Sequence, residues 1–228
     1  MARQKSSHTA LKIILMGIAA SIANNVIIWP SVHYVSGLYL DTIFTVAAAF
    51  SGGLFPGLIS AALTTVIFGI SYFFDTGTPY FWAYYFYMLC SAAAVLLVRL
   101  FARFFPEECE SQRIIGGPDD SYSGKIRQGS LFIMLATLSL VMCIVISIMG
   151  GLISACITIF TGVVDKKGPP ETWFRLGFIR QGFSLTASEI LARFPVNIAD
   201  RPIAVFGGYG IALLVKKVFR KTVSPTAR

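Results

Sequence analysis

The chain has 228 residues, of which 55% are hydrophobic and 13% charged, and a formal net charge of +8. Soluble domains carry about 25% charged residues, so this composition argues against a water-soluble domain and for a surface turned to lipid. The basic residues flank apolar runs, the pattern of headgroup anchoring, and leave no basic domain to bind a nucleic acid.

A membrane helix needs roughly 20 apolar residues. The apolar runs predict an all-α membrane protein: six transmembrane helices in one bundle, with a short extra amphipathic helix before the last span. Met1–Thr9 is polar and basic, a short disordered start within a cytoplasmic tail covering 1–10. Span 1 is expected over Leu11–Trp29. It is too long, and lacks the small-residue cleavage site, for a removed signal peptide. Ala19 and Ala23 form a small-xxx-small face suited to bundle packing or to docking on another membrane subunit. Asn24 and Asn25 follow, and an amide in lipid needs a partner.

Trp29–Tyr34 reads as the first outer connection, with Trp29 and Tyr34 either interfacial belt residues or pocket walls. Span 2, Leu38–Phe50, begins with Asp41. That carboxylate suits a helix N-terminus or a polar contact in a pocket. Ser51–Gly57 is the turn into span 3, Pro56–Phe74, whose Pro56 suits a first helical turn. Asp75–Pro79 is a second turn. Span 4, Tyr80–Phe104, starts with Tyr80, Phe81, Trp82, Tyr84, Tyr85, Phe86 and Tyr87. A belt explains aromatics at one level. Aromatics all round the helix predict that some line a pocket.

Residues 105–129 are polar, broken by Gly116-Gly117-Pro118, and read as a cytoplasmic loop. Ser130–Val164 is one long tilted helix, bent at Gly150-Gly151. An outer segment covers 165–199. Within it, Thr186 and Glu189 have capping-box spacing and start a short helix. The last span runs over Pro202–Phe219, and 220–228 forms a basic tail. Arg3, Lys5, Lys12, the 105–129 loop and the tail place both termini in the cytoplasm of a cell (inner) membrane protein. Lys166, Lys167, Arg175, Arg180 and Arg193 in the outer segment oppose that rule.

The chain holds no HExxH, no GxSxG and no serine–lysine pair in a span, so the expectation is a non-enzyme without cofactor. Cys90, Cys109, Cys143 and Cys156 form no CxxC pair, so neither a zinc site nor a disulfide framework is indicated. Candidate ligand-binding residues at the outer side are Asn25, Trp29, His33, Tyr34, Asp41, Asp75, Tyr80, Trp82, Tyr84, Tyr85, Asn197, Asp200 and Arg201. Aromatic walls with a few directional polar groups suit a small amphipathic ligand. Asp200 equally suits a helix N-cap beside Pro202, with Arg201 as its partner.

The chain resembles the substrate-binding (S) subunits of energy-coupling factor (ECF) vitamin transporters. Its size and six expected spans are similar. Ala19-x-x-x-Ala23 resembles the alanine motif that meets the transmembrane coupling subunit. Gly53-Leu54-Phe55-Pro56-Gly57-Leu58-Ile59-Ser60-Ala61 resembles the start of their third helix. Phe194–Asp200 resembles the start of their sixth. The 104–129 loop and the long segment before the last helix depart from a compact S subunit.

This resemblance implies capture of a small water-soluble vitamin or precursor near the outer face. It also implies docking through Ala19 and Ala23, and partnership with a coupling subunit and two ATPase subunits. The mechanism implied is a tumbling of the whole subunit in the bilayer, reset by ATP hydrolysed elsewhere. The alternative class is a ligand-sensing membrane input protein of a signalling system.

Overall fold

The computed structural model describes residues 2–34, 40–76, 81–105, 121–162 and 170–223. Among them, every regular element is helical: α1 (Ala2–Tyr34), α2 (Ile43–Gly52), α3 (Leu54–Thr76), a 3₁₀ segment (Phe81–Tyr87), α4 (Met88–Phe104), α5 (Ser121–Thr161), α6 (Pro170–Arg180) and α7 (Leu185–Val223). Five stretches are long and apolar enough to cross a membrane: Ala10–Ile27, Leu54–Ser71, Trp82–Phe104, Gly129–Thr161 and Leu185–Val218. Ile43–Gly52 is apolar but shorter.

The short helix is the central one. α2 packs against α1, α3, α4 and α7, and Val46, Ala47, Ala48, Ala49 and Phe50 are all buried. Its alanines make that possible, because small side chains let neighbouring backbones approach in an apolar medium. α2 stops at Gly53, whose φ of +97° is one that side-chain-bearing residues rarely adopt. The Gly53 N–H donates to the Ala49 carbonyl at 3.2 Å. Arg99 of α4 reaches the same carbonyl at 3.5 Å, placing a cation at the negative end of α2. Pro56 lies in the first turn of α3, where its missing N–H removes no helical bond.

Side-chain neighbours fix the directions. Asn24 meets Thr45 and Thr64, while Met16 meets Ser51, so α1 and α3 run antiparallel to α2. Asn197 meets Ser147 and Phe206 meets Phe132, so α7 runs antiparallel to α5. Phe50 meets Tyr209 edge-on at 5.3 Å while Thr42, just before α2, meets Arg201, so α7 runs parallel to α2. The core of α2, α4, α5 and α7 is closed by Val46, Val95, Leu138, Met142 and Val205. Large apolar side chains cover the outside: Leu11, Leu15 and Ile22 on α1, Leu96 and Leu100 on α4, Ile133 and Leu140 on α5.

Three expected boundaries move. α1 is helical from Ala2 and continues through Pro30 to Tyr34, so neither end is irregular; Arg, Gln and Lys near its start are good helix formers. The last helix starts at Leu185 rather than Pro202 and carries both Pro195 and Pro202 inside it. In a packed membrane bundle neighbouring helices re-satisfy the backbone groups that proline frees. Its N-cap is Ser184, whose Oγ accepts the Ala187 N–H at 3.3 Å. The expected Thr186–Glu189 box is displaced because Glu189 pairs with Arg175 of α6 at 2.8 Å. α5 is one helix and already helical at Ser121, within the segment expected as a loop; residues 106–120 lie outside the described set.

Candidate functional site

Four of the residues singled out in the sequence come together where the start of α2 meets the middle of α7. Arg201 is the centre. Its Nε donates to Asn197 Oδ1 at 3.1 Å, and its Nη1 to Thr42 Oγ1 at 2.9 Å. Its Nη2 donates to Asp200 Oδ2 and lies 3.5 Å from Asp41 Oδ1. Asp200 Oδ1 accepts the Leu40 N–H at 2.9 Å. Asn197 Nδ2 reaches Ser147 Oγ on α5 at 2.9 Å. The arrangement therefore ties α2, α5 and α7 together through one guanidinium.

Local structure explains the convergence. Asn197 and Arg201 are four apart on α7 and share a face. Asp200 is adjacent to Arg201, and both point into the bundle. The chain before α2 is held in a sparsely populated conformation, with Leu40 at φ +48°, and its N–H is aimed at Asp200. Asp200 and Arg201 are buried, at 0% and 3% exposure. The Asp41 side chain is 37% exposed, while its Oδ1 is buried and makes no hydrogen bond.

A second polar cluster lies next along α2. Asn24 Nδ2 donates to Thr45 Oγ1 at 2.8 Å and to Thr64 Oγ1 at 3.2 Å. Its Oδ1 accepts the Phe44 N–H at 3.0 Å, and Thr45 Oγ1 lies 2.9 Å from Ser60 Oγ. Asn25 instead bonds the Ser21 carbonyl of its own helix at 3.0 Å and joins neither cluster. The two amides are alike in sequence, and only the side of α1 that faces α2 separates them.

A third cluster joins α6 to α7 and the 3₁₀ segment. Arg175 pairs with Glu189 at 2.8 Å, and Arg193 with Glu171 at 3.4 Å. Arg193 Nη2 also donates to the Tyr87 hydroxyl at 3.0 Å. Two of the five cations that oppose the positive-inside pattern are thus held by carboxylates. Tyr87, Glu171 and Arg193 were not among the candidate binding residues, and the signal for them was that surplus of arginines.

The aromatic segment does not converge on one point. Trp82 is 49% exposed and meets Phe86 at 6.4 Å. Tyr84 meets Tyr87 at 6.2 Å. Tyr85 packs over Gly69 of α3, where an added Cβ would sit 2.7 Å from its ring. Trp29, His33 and Tyr34 belong to α1 and Asp75 to α3, but their side chains, and the whole of Tyr80, lie outside the described residues. Ala19 is exposed and Ala23 half-buried. A cleft of about 370 Å³ lies between α4 and α5, lined by Phe105, Gly129, Ser130, Ile133, Met134 and Thr137. It is far from Arg201: Met134 and Ser147 are separated by about 20 Å along α5 at ~1.5 Å per residue.

No family model matches this chain, and neither a curated protein nor a solved structure matches it. Among the described residues every regular element is helical and five helices are long and apolar enough to cross a bilayer, the geometry of a multi-pass membrane protein.

Proposed function

We propose that this chain is the substrate-capture subunit of an ATP-driven importer, similar to ECF S subunits, and binds a small water-soluble vitamin or precursor at its outer face. The observation that carries this reading is the Asp41–Arg201 network. Ionised side chains inside an apolar bundle are costly and mark ligand or ion pathways by default. Here one carboxylate of the network remains open to the exterior. The open carboxylate precedes α2, at the end away from Lys216 and Lys217 late in α7.

Two further observations support the reading. α1 and α3 are both antiparallel to α2, which requires a return pass between them. With α4, α5 and α7, this direction of α2 supports the six-span reading, in which both termini share a side. α1 turns Gly17, Ala20, Ser21 and Asn24 inward and leaves Ala19 exposed. That face, flanked by exposed Leu15, Ile18 and Ile22, suits docking to a transmembrane coupling subunit served by two ATPase subunits.

The test is purification from native membranes without added ligand. Native mass spectrometry is expected to find a retained small molecule, and ATPase subunits are expected to copurify. Ala19→Trp and Ala23→Trp should abolish copurification and uptake and keep the retained molecule. A copurifying kinase in place of ATPases would overturn transport in favour of sensing.

A further inference from the structure

We infer that the molecule captured beside α2 carries a positively charged N–H group, and that the Asp41 carboxylate accepts it. The inference rests on the capture reading and narrows its ligand class. It follows from the partners that the network's side chains already have.

Arg201 has no face left for an anion. Its Nε, Nη1 and Nη2 are engaged by Asn197, Thr42 and Asp200, and the residue is 3% exposed. Asp200 uses both oxygens, on Leu40 N–H and on Arg201. Asn197 uses both ends of its amide. Asp41 differs: among the described residues its ion-pair partner is Arg201 at 3.5 Å, its Oδ1 makes no hydrogen bond, and its side chain is 37% exposed.

The charges do not balance either. Among the described residues two carboxylates face one guanidinium, leaving one negative charge in surplus. A part-exposed carboxylate beside surplus negative charge attracts a cationic donor and repels an anion. A metal ion is a poorer fit, since no group of three or more His, Cys, Asp or Glu is placed to hold one among the described residues. An ammonium or a protonated ring nitrogen supplies both the charge and the directional N–H.

The experiment uses the full-length protein in detergent and three probes of one shape: 4-(aminomethyl)pyridine, 4-(hydroxymethyl)pyridine and isonicotinate. Calorimetric titration is expected to show the amine binding about tenfold tighter than the alcohol, the scale of one charge-assisted hydrogen bond, and isonicotinate weakest. Asp41→Asn should bring amine and alcohol within about twofold of each other, and Asp41→Glu should keep the preference. The wild-type ranking needs no variant, so it stands as a test even if Asp41→Asn fails to fold.

Equal binding of all three, tightest binding of isonicotinate, or a preference that survives Asp41→Asn overturns the inference and leaves capture standing. If no probe binds, the molecule retained in native mass spectrometry decides. A basic nitrogen in it supports the inference, and an acid or a neutral molecule overturns it. With no retained molecule the capture reading falls too.

Discussion

At the residue scale, the chain separates look-alike side chains by what they face. Asn24 completes three hydrogen bonds across α1, α2 and α3, whereas Asn25 bonds only its own helix. Asn24→Leu removes the donor to Thr45 and Thr64 and the acceptor for the Phe44 N–H. A loss of about 1–3 kcal/mol is expected, the cost of unsatisfied buried groups. Asn25→Leu is expected to shift the thermal transition little. A detergent melt followed by circular dichroism checks the contrast, and equal shifts would refute it. Arg201→Met leaves Asp200 buried without its cation. Breaking a buried pair from one side costs about 3–5 kcal/mol. Removing both charges, in Asp200→Asn with Arg201→Met, should restore part of the loss in the same melt.

At the element scale, α2 and α7 are held by close approach. A Cβ on Gly208 would lie 2.7 Å from Val46 Cγ1 and 2.8 Å from the Ile43 carbonyl oxygen, while one on Gly207 would meet Ile43 Cγ2 at 3.7 Å. Backbone cannot yield as a flexible side chain can. Gly208→Ala is therefore expected to lower the melting temperature, and Gly207→Ala to leave it nearly unchanged. α6 depends on a different device. Its Arg175 and Glu171 reach Glu189 and Arg193 of α7. Glu189→Gln removes the carboxylate charge that pairs with Arg175 at 2.8 Å. Hydrogen exchange across Pro170–Arg180 should then quicken while α5 is unaffected; unchanged exchange would show that apolar packing alone holds α6.

At the scale of the whole molecule, the six-pass reading makes a sidedness prediction. In a cysteine-free background, Thr78→Cys should react with a membrane-impermeant maleimide on intact cells, and Ser6→Cys only after permeabilisation. The opposite pattern would invert the topology. The apolar stretch Gly129–Thr161 extends about 50 Å at ~1.5 Å per residue. A hydrocarbon core is about 30 Å thick, so α5 tilts or stands beyond it. Gly151 of α5 lies against Ile190 in the early turns of α7, α6 packs on α7, and Trp173, Phe174 and Phe183 are exposed.

Long uncharged apolar runs already mark the chain as helical, apolar outside and suited to a membrane, because a helix satisfies its own backbone groups in lipid. The sequence by itself also brought forward Asp41, Asn197, Asp200 and Arg201, since ionisable and amide groups are conspicuous in such runs. Their partners were not legible: Thr42, Ser147 and the Leu40 N–H look ordinary along the chain. The continuous α7 was hidden by Pro195 and Pro202, which read as breaks wherever helices are judged one at a time. Tertiary structure alone decided that a ten-residue helix, α2, is the centre of the bundle. Only the packing leaves an Asp41 oxygen without a hydrogen bond while both Asp200 oxygens accept one. The physical reason is common to both: side chains far apart in sequence compete for the same few hydrogen bonds, and which of them is left over depends on the packing of helices that no local pattern records.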